Sequence, residues 1–475
     1  MLRHRVSPYR GTREFHPRCP IGGYFCELSH HKFVSMPAAL VPTAPAQPRV
    51  FGRLLSQGTF YNAGMQLSNG SVVLAFVCAH QGLSWVAALL FPAYSLGDIV
   101  GNSVSPVVLQ RVGLMRHRLL AALVASVAAL ILCDAFVPWN GGLAAPVFLL
   151  TCGAAGVLLG IAGVAYPDLI SSKLSAAGRG ELLLFQGATG SVLATLVTLF
   201  VVPVLAHGDE MMYRRDLLWL GAAGLVVSAI AALSVGPVRS VSNTTRMSAR
   251  QTYRQGFAVA RSQPWFRRYV TACLLFAPVT LGTTFYALRT AHHNSSLHVL
   301  VILSSIGLVF GSPLWRKVFR LFGVRGMMLG SALLSIAAAT LTVVAEACGQ
   351  WFHIWAYGTV FLLATVAGQA VFAAAISWLS AVADESHRGT LIAFSSTLVA
   401  IEAMALAFVL GSIAQNHTAI WPDVVVLVLA VAAAIAALGA PKSETRPAPA
   451  DRERTVAFAP RSFARVAPPV SLQAA

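Results

Sequence analysis

Two carboxylates stand inside otherwise apolar stretches, Asp98 in "LLFPAYSLGDIVGNSV" and Glu402 in "AFSSTLVAIEAMAL". A carboxylate held among apolar helices can take up and release a proton as its surroundings alternate between dry and wet. Asn102 and Ser105 follow Asp98 at i+4 and i+7, so they share its helical face. Ser395 precedes Glu402 by one heptad. Each acid has a second reading. Asp98 can organise a gate by hydrogen bonding to the loop around Arg111 or to helix ends. Glu402 can contact a substrate or form a structural pair. A third feature is a polar stripe: Thr59, Asn62, Gln66 and Asn69 recur at i, i+3, i+7 and i+10. A polar face of this kind is costly against lipid, so it lines a cavity or hydrogen-bonds to a neighbouring helix. Gln186 and, as a weaker echo, Thr280, Thr283 and Thr284 add polar groups to later apolar segments.

The elements that carry these residues must be membrane helices. The 475 residues are 56% hydrophobic and only 11% charged, and mean hydropathy is +0.70. A soluble globular domain carries roughly twice that charged fraction. Apolar runs repeatedly reach about 20 residues, enough to cross a ~30 Å hydrocarbon core as a helix. The expected spans are 57–79, 84–108, 118–137, 143–166, 181–205 and 216–236, then 269–289, 297–315, 326–346, 352–376, 389–413 and 420–440. The fold class is therefore an all-α membrane protein with twelve transmembrane helices.

The net charge of +17 sits in short loops between apolar runs and reads as membrane topology, not as a nucleic-acid footprint. One set of alternate loops holds Arg111, Arg116 and Arg118, then Lys173 and Arg179, a run from Arg239 to Arg268, then Arg316, Lys317, Arg320 and Arg325, and finally Arg388. The other set holds only Arg214, Arg215 and Arg289. Positive-inside bias places both termini in the cytoplasm of a multi-pass plasma membrane protein. The expected organisation is a cytoplasmic, disordered extension over 1–50, a six-helix half over 51–236, and a central cytoplasmic loop over 237–268. A second half over 269–440 and a disordered tail over 441–475 follow. Cys19, Cys26, His30 and His31 fit no standard zinc spacing, and the seven cysteines imply no disulfide framework. No metal and no cofactor are expected.

The two halves match. "SPVVLQRVGLMRHRLL" from Ser105 is echoed by "SPLWRKVFRLFGVRGMML" from Ser312, each a basic knot after the second span of its half. "GRGELLLFQGATGSVLATL" from Gly178 is echoed by "HRGTLIAFSSTLVAIEAMAL" from His387, with Gln186 opposite Ser395. Duplicated halves in one orientation are parallel repeats, related by an axis along the membrane normal. The fourth span carries Gly153, Gly156, Gly160 and Gly163, a small-residue face that lets helices approach closely.

Twelve spans in two pseudo-symmetric halves, basic Gly-containing loops after spans two and eight, and Arg-Gly after spans four and ten resemble the major facilitator superfamily. The resemblance covers roughly 51–440. Arg111, Gly113, Arg116 and Arg118 fit the family's loop signature, with Gln110 where Asp is usual and Pro106 where Gly is frequent. Gly323 and Arg325 fit the second copy, with Arg320 at the acidic position. The resemblance implies alternating access by a secondary transporter, functional as a monomer, moving a small solute together with protons. From position alone, Asp168 and Glu181 flank the loop between spans four and five, and Asp384 and Glu385 that between spans ten and eleven; near inner arginines such as Arg179 and Arg388, they can form a salt-bridge network that gates the cytoplasmic face. Export of a drug or metabolite is favoured; nutrient uptake by symport or facilitation is the alternative. The fifth span lacks the Gly-Pro of drug–proton antiporters, and no Gly-Lys-Ser/Thr loop supports ATP-driven transport. A non-transporting sensor and a membrane-embedded enzyme are the competing classes. For the enzyme, no convergent nucleophile, base or metal cluster is visible, and the chain is read as not an enzyme.

Overall fold

In the computed structural model, the described residues are 48–68, 74, 78, 84–137, 143–174, 176–206, 210–238, 248–279, 297–351, 353–383, 388–416 and 420–441. Asn69, Thr280, Thr283, Thr284, Asp384 and Glu385 lie outside them, as does nearly all of both expected tails. The described residues belong to one compact unit, Pro45–Ala475.

The described elements are helices. They run α1 (Pro48–Leu67), α2 (Ser84–Val112), α3 (Arg116–Phe136), α4 (Ala144–Lys173), α5 (Ala176–Leu196) and α6 (Glu210–Ser234). Next come α7 (Ala249–Ser262), α8 (Pro264–Leu275), α9 (Leu297–Ala347), α10 (Ile354–Val382), α11 (Arg388–Asn416) and α12 (Ile420–Ala437). α5 continues through a π-helical stretch, Val197–Val201, into Val202–Ala206. The first span begins earlier than the hydropathy edge at 57, because Arg49 and Arg53 lie in the first turns of α1. Arg53 donates to the Ser234 carbonyl at the end of α6, which ties the polar start of α1 to its neighbour.

Among the described residues, eight apolar stretches are long enough to cross a bilayer, and two of them, Leu89–Phe136 and Ser305–Ala347, measure 48 and 43 residues. At 1.5 Å per residue these would extend about 72 and 64 Å as straight rods, more than twice the hydrocarbon thickness. Each is two crossings joined by a tight turn. The turns fall at the two basic knots, at Gly113 (φ 58) and Gly323 (φ 63), a left-handed backbone that only glycine adopts without strain. The repeat is therefore visible in backbone geometry as well as in sequence. α9 accordingly has two arms on either side of Gly323.

Helix pairing repeats as well. α2 packs extensively on α4, and the first six helices close through α1 and α3 against α6. α9 packs extensively on α10, and also on α12. The two sets meet where α5 crosses α9 and α10 and where α11 lies on α2. The α2–α4 contact is built from glycine. A Cβ at Gly97 or Gly101 would collide with the α4 backbone at Gly153 and Val157, and one at Gly156 or Gly160 with the α2 backbone at Tyr94 and Asp98. Gly153 is less crowded, with Ala93 O at 3.6 Å, and Gly163 faces open space. The glycine face thus does packing work at Gly156 and Gly160, and α2 supplies partners in Gly97 and Gly101.

Leu96, Phe310 and Phe408 are 58, 71 and 79% exposed. Such side chains on long apolar helices face lipid, because a bilayer solvates them and water does not. This is a multi-pass membrane protein.

Candidate functional site

A cavity of about 440 Å3 opens among the first six helices at the end opposite the Gly113 turn. Its polar wall is made by Asn62 and Gln66 of α1, Asp134 of α3 and Thr151 of α4, with Phe91 and Tyr94 of α2 as the aromatic side. Gly187 and Ser191 of α5 and Leu308 of α9 complete it, so both sets of helices reach this space. Among the described residues, no lysine or arginine lines it.

Asp134 is the acid of this cavity. It is buried, and Thr151 Oγ1 donates to its Oδ1 at 2.6 Å. The same hydroxyl lies within reach of the Val147 and Phe148 carbonyls of its own helix. Buried thiols of Cys78 and Cys152 lie within electrostatic range of the carboxylate. The sequence reading missed Asp134, which sits near the end of an apolar run in "LILCDAF", where an acid resembles the start of a loop. The available signal was the acid inside a span, the same one that singled out Asp98.

The α1 stripe divides. Asn62 and Gln66 reach the cavity. Thr59 instead shares a 2.6 Å hydrogen bond with Thr189 of α5. Gln186 is also a helix tie: its Nε2 donates to the Leu54 carbonyl at 2.6 Å, and its Oε1 accepts from Tyr166 at 2.7 Å. Gly58 makes room for that amide, since a Cβ there would overlap it. Ser395 is buried next to Tyr269 and donates to Ile392 O, away from the cavity wall. Only part of the sequence-derived polar set is therefore gathered in one place.

Asp98 lies where α2 and α4 touch. Its Oδ2 accepts from Asn102 Nδ2 at 3.1 Å, while Ser105 donates to the Asn102 carbonyl. Its Oδ1 approaches the α4 backbone at Gly160. Arg111 is exposed and thirteen residues further along the same helix, about 20 Å away. The expected contact between Asp98 and the Arg111 loop is thus out of reach. The acid that does hold this loop is Asp168 of α4, which accepts a charged hydrogen bond from Arg116. Arg118 is exposed, and Lys173 closes the neighbouring helix end by donating to the Val235 and Pro237 carbonyls. Glu402 is half-buried in α11, and its Oε2 has no hydrogen-bond partner among the described residues.

Among the described residues, several contacts join the two sets of helices at the end bearing the basic turns. Arg320 of α9 pairs with Glu181 of α5, joining the two sets of helices. The Arg316 guanidinium sits 5.5 Å from the Phe185 ring centroid, and Phe319 lies against Gly180. Deeper in, Ser312 donates to Leu184 O at 2.8 Å and accepts from Gln369 at 2.8 Å. Ser305 donates to Ser191 O at 3.1 Å and pairs with Thr195. Arg179 is buried and donates to Ser171. Its repeat mate Arg388 is likewise buried, whereas Arg325 is half-buried beside the Gly323 turn.

No protein-family model matches the chain. It is 63% identical over 409 residues to uncharacterized proteins of Mycobacterium bovis and Mycobacterium tuberculosis, covering 86% of this chain and 80% of those relatives. Among solved structures, it resembles the human organic anion transporter MFSD10 with TM-score 0.63 and 14% identity, over 83% of this chain and 100% of that one. It resembles the proton:xylose symporter XylE with TM-score 0.62 and 14% identity, over 83% and 96%. A bacterial homologue of the iron transporter ferroportin, in an outward-facing state, gives TM-score 0.61 and 15% identity over 82% and 98%. The chain belongs to one family with the mycobacterial proteins, and its fold is that of the major facilitator superfamily.

Proposed function

We propose that this protein is a secondary active transporter that moves a small solute by alternating access, driven by protons. It would work in the plasma membrane with both termini in the cytoplasm. The observation that carries the reading is the cavity walled by Asn62, Gln66, Asp134 and Thr151, set at the end of the bundle opposite the Arg320–Glu181 pair. Binding there, followed by rocking of the two helix sets about α5 with α9 and α2 with α11, would expose the solute on the opposite side. Asp134 is the first candidate for coupling, because its carboxylate shares the space a solute would enter. Asp98, at the α2–α4 contact, and Glu402 remain the second and third. The resemblance to a proton:xylose symporter and an organic anion transporter supports a solute carrier without naming the cargo. Export remains the favoured direction.

The test has two steps. Metabolites are compared without preselection in cells with and without the protein, and each compound that differs is then offered to proteoliposomes with and without a pH gradient. Flux that follows the gradient supports the reading. Folded protein that moves none of these compounds under any gradient overturns it.

A further inference from the structure

The helix between the two sets, α7, has a face that transport does not explain. It is sharply amphipathic and begins with a reciprocal cap: Gln251 N donates to Ser248 Oγ, and Ser248 N donates to Gln251 Oε1. Its inner face is settled. The Tyr253 hydroxyl shares a 3.1 Å hydrogen bond with Thr397 of α11, its ring lies 6.3 Å from Phe394, and Val259 packs on the same core. Its outer face carries Arg250, Arg254, Phe257 and Arg261, all exposed, at i, i+4, i+7 and i+11. These four form one stripe along the helix, about 16 Å long. Phe257 is 64% exposed in the middle of it. Exposed Arg267 and Arg268 of α8 extend the charge. From residue 217 to residue 345 the sequence contains no Asp or Glu, so no acid of this stretch can neutralise the stripe.

We infer that the Arg250–Arg254–Phe257–Arg261 stripe of α7 binds the anionic phospholipid headgroups of the adjacent leaflet, with Phe257 inserted among them. Three observations meet here. The arginines supply charge complementarity to an anionic surface, and guanidinium matches phosphate oxygens in a bidentate manner. The apolar face of α7 is taken up by α11 and the core, so exposed Phe257 is the ring left to enter the headgroup region, with the arginines on either side of it at the phosphates. The depth also fits: Thr397 lies nine residues, about 14 Å, inside α11 from Arg388. Tyr253 thereby holds α7 against the half of α11 that begins at Arg388. The inference is independent of any transported solute, so failure of the transport reading leaves it standing.

The experiment places an environment-sensitive fluorophore at Phe257→Cys in the full chain, with the native cysteines replaced. The protein is reconstituted into phosphatidylcholine vesicles with or without phosphatidylglycerol. Lipids brominated high on the acyl chain report insertion, and iodide reports exposure to water. With phosphatidylglycerol present, bromolipid quenching should rise and iodide quenching fall. The combined variant R250Q/R254Q/R261Q should abolish that difference, with apparent affinity for the anionic lipid falling about fivefold per arginine removed. Lysine at the same three positions should retain most of it, and a melting curve matching the parent confirms that each variant is folded. Iodide quenching that is unaffected by phosphatidylglycerol overturns the inference. So does a label shielded from both quenchers, which would mean that a protein segment covers the stripe.

Discussion

Asp134 is the side chain on which the proposed chemistry turns. Replacing it with Asn preserves shape and the hydrogen bond from Thr151 while removing the charge. A neutral amide cannot take up or release the coupled proton, so gradient-driven flux should be lost in Asp134→Asn vesicles. Downhill exchange of the same solute should survive. Equal loss of both would place Asp134 in solute binding alone. Asp98→Asn makes a useful contrast, since Asp98 is engaged with Asn102 and the α4 backbone and not with the cavity. If Asp98 is a positioning residue, its variant should lower protein stability more than it alters the response to pH, read by melting curves beside flux at two pH values.

At the scale of elements, the decisive contact is α2 against α4. Close approach of two backbones removes the space a methyl group needs, and in a close-packed interior the helices must separate to restore it. Gly101→Ala should therefore destabilise the protein by about 1–3 kcal/mol, as overpacking does. Gly163→Ala, on the glycine face of α4 but in open space, should leave the melting temperature no lower than the parent, since alanine favours the helix over glycine by about 1 kcal/mol. Thermal unfolding of the two purified variants, side by side, separates packing from a general cost of alanine. An equal shift in both would refute the close-contact account. Sequence spacing alone ranked the four glycines of α4 together; only the neighbouring backbone distinguishes Gly156 and Gly160 from Gly163. Gly113 and Gly323 differ from all of them, because they are required for backbone conformation and not for proximity.

For the whole molecule, the Arg320–Glu181 pair is an ion pair that joins the two sets of helices at the end bearing the basic turns. It is partly exposed, so it contributes about 0–1 kcal/mol. Breaking it should shift the balance between closed and open forms by no more than about fivefold. Glu181→Gln should raise the labelling rate of a cysteine placed at Ser312 from the side of the basic turns. Combining Glu181→Arg with Arg320→Glu should return it toward the parent. An unchanged labelling rate in both variants would show that contacts such as Ser305 with Ser191 hold this end without the ion pair.

Composition, run length and loop charge determine that this chain spans a membrane many times, that its halves repeat, and where each half turns. These are properties of every stretch of about twenty residues taken alone, because lipid forces each segment to satisfy its own backbone. The stripe on α1 and the turning glycines were legible for the same reason: a helix's own periodicity orders the faces, and a glycine turn announces itself between two apolar runs. The partners were not legible. That Asn62 and Gln66 join a cavity while Thr59 and Gln186 tie helices together depends on how α1 meets α5, where Thr59 and Thr189 are 130 residues apart and Leu54 and Gln186 are 132 apart. Likewise Asp134 becomes a site residue only once Thr151, Tyr94 and Gln66 share a cavity with it, and the expected pairing of Asp168 with the loop arginines acquires its particular partner, Arg116, across helices. Sequence orders residues along one helix, but which faces meet is decided by packing among helices that are distant in the chain.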